Sequence, residues 1–209
     1  MKEIFRLGTS PTIGTLIVPG EPLIRMGERL NAIINLTIEP CDKIVAGVKN
    51  KIYDLGLIES PIFDDDLVYR EWMEDELVVC SLQELPSSLD EEILSDCKLL
   101  CRNQNSPTRQ FIMNFFYDLD LSYDTFYSLS EIDNASAAIQ GIKWSKPNSL
   151  NPTIAIVSKL AIEKELENQV LFQSRIKNSP MIRKFYLIYD KSKIKPTYID
   201  DVISYLQEA

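Results

Sequence analysis

Short apolar runs alternate along this chain with stretches in which apolar residues recur every three or four positions, a pattern that predicts strand followed by helix throughout. Residues 2–8 form an apolar run closed by Gly8 and read as a buried strand. Helical spacing then covers 12–30, with a break expected at Pro19-Gly20-Glu21-Pro22 because proline removes a helix hydrogen bond. Residues 33–39 alternate with a strand's period of two, and 42–51 place Ile44, Val45 and Val48 on one helical face. Residues 53–58 read as another apolar strand. Strand, helix, strand, helix, strand predicts a parallel sheet covered on both faces.

A second series follows two expected strands at 67–72 and 77–82. The pattern predicts helices at 88–94, 108–117, 132–142 and 159–166, interleaved with strands at 98–102, 122–128 and 154–157. A long strand at 182–189 and a helix at 197–206 close the chain. The expected fold class is therefore α/β, with two Rossmann-like lobes. The first takes 1–82 together with 183–209, and the second takes 83–182. The extended segments at 77–82 and 183–189 would form a two-strand hinge, with a ligand cleft beyond the carboxyl ends of the strands.

Composition narrows the function classes. The 209 residues are 45% hydrophobic and 25% charged, as in ordinary globular proteins. No apolar run approaches the roughly 20 residues of a membrane span, so no membrane partner is expected. The net charge of −9, without a dense basic cluster, is a poor match to a polyphosphate surface. Histidine is absent, which removes Ser-His-Asp and Cys-His catalysis and histidine-based zinc sites. The expectation is that the chain is not an enzyme, holds no metal and needs no cofactor. Cys41, Cys80, Cys97 and Cys101 lie among apolar residues and read as buried, reduced thiols in a cytoplasmic protein.

Candidate chemistry centres on a repeated tripeptide. Ser10-Pro11-Thr12 follows the first strand of lobe one, and Ser106-Pro107-Thr108 follows the first strand of lobe two. Serine is a good N-cap and proline suits the first helical position, so each tripeptide starts a helix. A helix start offers unpaired N–H groups and partial positive charge, which suits a small anion or carboxylate. Arg102 and Arg109 flank the second start and could add charge-assisted bonds. The same tripeptide is also an ordinary way to begin a helix, and only its matched position in the two lobes favours a ligand. Glu59, at the end of a central strand, is a further candidate equally readable as a turn residue, and Thr153, before a strand of lobe two, is another that reads better as a loop corner. Asp64-Asp65-Asp66 reads as a solvated acidic loop and Phe111, Phe115 and Phe116 as helix packing.

The segment from Phe5 through Gly14, Phe-Arg-Leu-Gly-Thr-Ser-Pro-Thr-Ile-Gly, resembles the opening of the effector-binding domain of LysR-type transcriptional regulators. The resemblance continues at Tyr53-Asp54-Leu55-Gly56-Leu57-Ile58-Glu59, at Trp72-Met73-Glu74-Asp75-Glu76-Leu77-Val78-Val79 and at Ser106-Pro107-Thr108-Arg109. It returns at Ile154-Ala155-Ile156-Val157-Ser158 and at Arg183-Lys184-Phe185-Tyr186-Leu187-Ile188-Tyr189. It implies a fold like a type 2 periplasmic-binding protein with a small effector between the lobes. The site expected on these grounds comprises Thr9, Ser10, Thr12, Asn105, Ser106 and Thr108, with Arg102, Glu59 and Thr153 as further members. The resemblance implies homodimers or tetramers, and DNA contact only through an N-terminal winged helix-turn-helix that this sequence lacks, so that the chain would be a fragment. RNA polymerase is an implied partner of the whole regulator. Two departures from the family pattern stand out: Asn103-Gln104-Asn105 replaces a Gly-containing loop, and 143–152 lacks the usual Gly-rich connection.

The function expected is a ligand-sensing regulatory domain in which effector binding shifts lobe closure and, through a dimer, DNA contact. The alternatives are a stand-alone solute-binding protein of the same fold, which an export signal would favour, and an enzyme on a related two-lobed fold, which turnover of a ligand would reveal.

Overall fold

A computed structural model describes residues 2–192 and 202. The helix expected at 197–206 lies outside these residues apart from Val202. The chain divides into two compact α/β units, one taking the chain up to Glu74 and again from Lys184, the other running from Asp75 to Arg183. The crossings thus fall at Glu74/Asp75 and Arg183/Lys184, and not at the expected 82/83 and 182/183.

In the first unit, β1 (Glu3–Thr9) pairs in parallel with β2 (Ala32–Ile38) and with β3 (Leu55–Ile58). β10 (Met181–Asp190) adds antiparallel to β3, so the order runs β2-β1-β3-β10. Helix α1 (Glu21–Arg29) precedes β2, and α2 (Cys41–Lys49) precedes β3. The apolar stripe of α2, Ile44, Val45 and Val48, is buried with Cys41, Tyr53, Ile58 and Ile188. The Tyr53 ring lies against two glycines: a Cβ at Gly8 would meet it at 2.7 Å and one at Gly47 at 2.3 Å. Glycine in β1 and α2 is what lets helix and strand close on that ring. The interrupted helical stretch expected over 12–30 is a π-helical turn, Ile13–Ile17, followed by the separate α1. The break sits at Gly20, whose φ of 106° favours glycine, as the Pro-Gly-Glu-Pro segment led one to expect.

The second unit begins inside β4 (Leu67–Ser81), one continuous strand where two short ones were expected. Its second half pairs antiparallel with β8 (Thr153–Ser158) on one side and β9 (Phe172–Ile176) on the other. Leu77, Val78 and Val79 are buried in this half of the strand. β6 (Lys98–Arg102) lies parallel between β8 and β7 (Ser128–Ile132). Helix α4 (Pro107–Asp118) buries Ile112 and Phe116 against Leu99, Cys101 and Ile154. On the other face of β6, α5 (Ala135–Lys143) approaches so closely that a Cβ at Gly141 would lie 2.7 Å from Leu100. Each large apolar side chain so buried contributes about 1.5–3 kcal/mol. Phe116 is fully buried, with Phe111 and Phe115 packed at the edge of the same core.

Local caps move several boundaries. Asp90 accepts a hydrogen bond from the Ile93 amide at 3.0 Å, so the helix expected at 88–94 becomes α3 (Glu91–Ser95) after the short strand β5 (Ser88–Leu89). Ser122 and Thr125 cap each other into a 3-10 turn, Tyr123–Thr125, so the strand expected at 122–128 starts at Ser128. Asn134 accepts from the Ala137 amide at 2.8 Å, which places the start of α5 at Ala135. The helix expected at 159–166 is a 3-10 turn, Leu160–Ile162, followed by α6 (Glu163–Glu167). β9 was not anticipated. It leads into β10 through a turn in which Lys177 and Asn178 both have positive φ, the combination of a type I′ turn.

Candidate functional site

In the first unit the chain ends of three parallel strands converge. Thr9 pairs with Ile38 of β2 and Leu57 of β3, so Ser10 and Glu59 follow adjacent strands at one carboxyl edge of the sheet. The Ser10 amide donates to the Leu57 carbonyl at 2.9 Å and extends that register past β1. Its own carbonyl accepts from the Gly14 amide at 2.9 Å, which begins the helical turn at Pro11. Thr9, Ser10, Thr12 and Glu59 are all buried. Among the described residues, Thr9 Oγ1 and Ser10 Oγ have no hydrogen-bond partner. A buried hydroxyl left unsatisfied costs about 1–3 kcal/mol, so such groups call for a ligand or ordered water.

The second unit repeats the arrangement. Arg102 ends β6 half-buried, and Ser106 caps the twelve-residue α4 from an extended conformation without using its side chain as a cap. The Ser106 amide donates to the Asn103 carbonyl at 3.0 Å, and Ser106 Oγ is buried with no partner among the described residues. Thr108, only 6% exposed, is buried in the first turn of α4.

Three residues that sequence reasoning did not assign complete this end of the unit. Asp75, in β4, accepts from Ser158 Oγ at 2.7 Å through Oδ1 and from Arg183 Nε at 2.8 Å through Oδ2. Arg183 Nη1 donates to Thr108 Oγ1 at 3.2 Å. Local sequence does not mark them: Asp75 lies within Glu74-Asp75-Glu76, Arg183 beside Lys184, and Ser158 closes β8.

Other expected residues stand elsewhere or serve the fold. Thr153 begins β8 and pairs with Lys98, at the amino end of β6. Arg102 is at the far end of that strand, about 13 Å away at 3.3 Å per residue, so Thr153 does not join Ser106 and Thr108. The reason is the parallel register, which sets the first residue of β8 beside the first of β6. Asn105 is exposed in the loop before α4. Arg109, expected to supply charge to a ligand, turns back: Nη1 donates to the Arg102 carbonyl at 2.9 Å and to Cys101 Sγ, and its guanidinium lies 3.6 Å over the Tyr123 ring. In the acidic loop, Asp64 and Asp66 hold Lys49 at 2.8 and 3.1 Å.

The chemistry on offer is hydrogen bonding. All four cysteines are buried and free. Burial pushes the Cys80 thiol up to about 12 and the Cys97 thiol up to about 11, and it raises Cys101 although Arg109 opposes it. These are poor nucleophiles and poor metal ligands. Among the described residues no group of three or more Cys, Asp or Glu is placed to hold a metal ion.

The family model described as the LysR substrate binding domain matches residues 2–209. The chain belongs to this family. The LysR domain is 25% identical over 191 residues to the uncharacterized HTH-type transcriptional regulator YeiE of Escherichia coli (strain K12), covering 90% of this chain and 62% of that protein. It is 24% identical over 195 residues to the HTH-type transcriptional regulator CysL of Bacillus subtilis (strain 168), with the same coverage. It therefore spans about three fifths of the length of these relatives. Its fold is similar to the effector-binding domain of QuiR in complex with shikimate, at a TM-score of 0.73 and 18% identity, covering 100% of this chain and 99% of that one. It is also similar to the regulatory domain of CcmR from Synechocystis PCC6803 in complex with 2-PG, at 0.76 and 19%, covering 99% and 98%. The expected α/β, type 2 periplasmic-binding-protein-like class is the fold found. No described helix is long and apolar enough to cross a membrane.

Proposed function

We propose that this LysR domain is a ligand-sensing module that binds a small polar or anionic effector through the hydroxyls following β1 and β6. The observation that carries this reading is the set of buried, unpartnered hydroxyls, Thr9 Oγ1, Ser10 Oγ and Ser106 Oγ, each at the carboxyl end of a parallel strand. That is where open α/β sheets place their ligands. Thr12, Thr108, Glu59 and Arg102 stand beside them; Asn105 lies on the loop entering α4, and Thr153 is left to the fold. The relatives add weight, since molecules rich in hydroxyl, carboxylate or phosphate oxygens occupy two domains of the same fold.

The reading continues to the whole regulator. Effector binding would bias a homodimer or tetramer, and DNA would be met through a helix-turn-helix such as the relatives' names record. RNA polymerase contact and a cytoplasmic location belong to the same proposal. Catalysis is not part of the proposal, since the matching family is a regulator's substrate binding domain.

Thermal shift with sulfate, inorganic phosphate, shikimate and 2-PG tests the site. A ligand at one hundred times its Kd adds about 2.7 kcal/mol, or roughly 5–10 °C for a domain of this size. Ser10→Ala and Ser106→Ala should each cut that shift. Full shifts in both variants would remove the hydroxyls from the site.

A further inference from the structure

We propose that Arg183 is a positioning residue of the effector site, holding Thr108 so that its hydroxyl proton is offered to a ligand oxygen. The proposal rests on the site reading above and extends it to the chemistry of the group bound at Thr108.

Arg183 and Asp75 are as buried as the hydroxyls, at 6% and 1% exposure, but their polar atoms are turned toward each other and toward neighbouring side chains. Asp75 holds the guanidinium from one side, with Oδ2 at 2.8 Å from both Nε and Nη2. Asp75 is itself steadied by Ser158 through its other oxygen. The planar guanidinium therefore has one orientation, and in it Nη1 reaches Thr108 Oγ1 at 3.2 Å. A lysine could satisfy Asp75 as a point charge, but it lacks a rigid fork that grips two partners at fixed angles.

Thr108 has one O–H to donate and two lone pairs. Once a lone pair accepts from a cation, the hydroxyl proton is both oriented away and made a better donor, because hydrogen bonds in sequence polarise one another. Ser106 Oγ, two residues earlier, is buried and unpartnered among the described residues. The two hydroxyls then select an acceptor, the oxygen of a carboxylate, phosphate or sulfate, over a donor group. Asp75 is the first residue of the second unit and Arg183 its last, so the residue that orients Thr108 sits where the chain crosses between units.

The test is a double-mutant cycle on binding, measured by calorimetry with whichever of sulfate, inorganic phosphate, shikimate and 2-PG binds the wild-type domain most tightly. Thr108→Val should weaken binding about tenfold, the worth of a charge-assisted hydrogen bond, and Thr108→Ser should stay within about twofold of wild type. Arg183→Lys should weaken binding about tenfold in the wild-type background and not at all in the Thr108→Val background. Equal losses in both backgrounds would show Arg183 acting independently of Thr108 and overturn the proposal. Should Arg183→Lys fail to fold, undiminished binding by Thr108→Val overturns it alone. If the wild-type domain binds none of the four, the site reading falls and this proposal with it; if it binds and only the cycle fails, the site reading stands.

Discussion

A methyl group added at Gly14 would lie 1.9 Å from Thr9 Oγ1 and 2.8 Å from Ile38 Cγ1. The bare Cα of Gly14 is thus what leaves room for a buried hydroxyl at the end of β1. Overpacking of this kind costs about 1–3 kcal/mol. Gly14→Ala should lower the melting temperature by several degrees and weaken effector binding, because Thr9 must move; an unchanged melting temperature would show the fit to be slack. At this scale the sequence revealed the candidates unevenly. Ser10, Ser106 and Thr108 were legible because a capping tripeptide recurs after two opening strands. Asp75, Ser158 and Arg183 were not, since their meaning depends on three distant segments meeting, and nothing in local spacing records that.

Elements were legible where periodicity was long and illegible where a single cap decided a boundary. The stripe of α2 and the apolar runs of β1, β3 and β8 stand close to where their patterns put them. The starts of α3, α5 and β7 were set by Asp90, Asn134 and Ser122, whose side chains satisfy amides that periodicity does not see. β9 escaped notice because Phe-Gln-Ser-Arg-Ile alternates over only five residues, with a small serine on its buried face. Its attachment to β4 includes the pair Arg175–Glu76, two parallel bonds of which Nη2 to Oε2 is 3.0 Å. The hydrogen bonds from Arg175 hold Glu76 below the usual carboxylate range. A depressed carboxyl stabilises the fold fully above the unfolded value, about 4.3, and this contribution is lost as pH falls through the folded value. Urea midpoints of wild type and Glu76→Gln should therefore differ above about pH 5 and converge toward pH 3. A constant separation across that range would show the pair to be without effect.

At the scale of the molecule, alternation of strand and helix was enough to foresee an α/β fold in two units, and six ordered motifs were enough to suggest the family. The crossing falls at Glu74/Asp75, inside a strand that runs unbroken from Leu67 to Ser81 with β10 and β8 as its neighbours, where two separate strands were expected. The central claim is that effector recognition belongs to the hydroxyls at the carboxyl ends of β1 and β6. The most direct measurement is amide chemical-shift mapping by NMR while the tightest of the four probe ligands is titrated into the domain. The account predicts the largest shifts at residues 9–14 and 102–109. Shifts confined to other segments, with those two stretches unmoved at saturation, would contradict it.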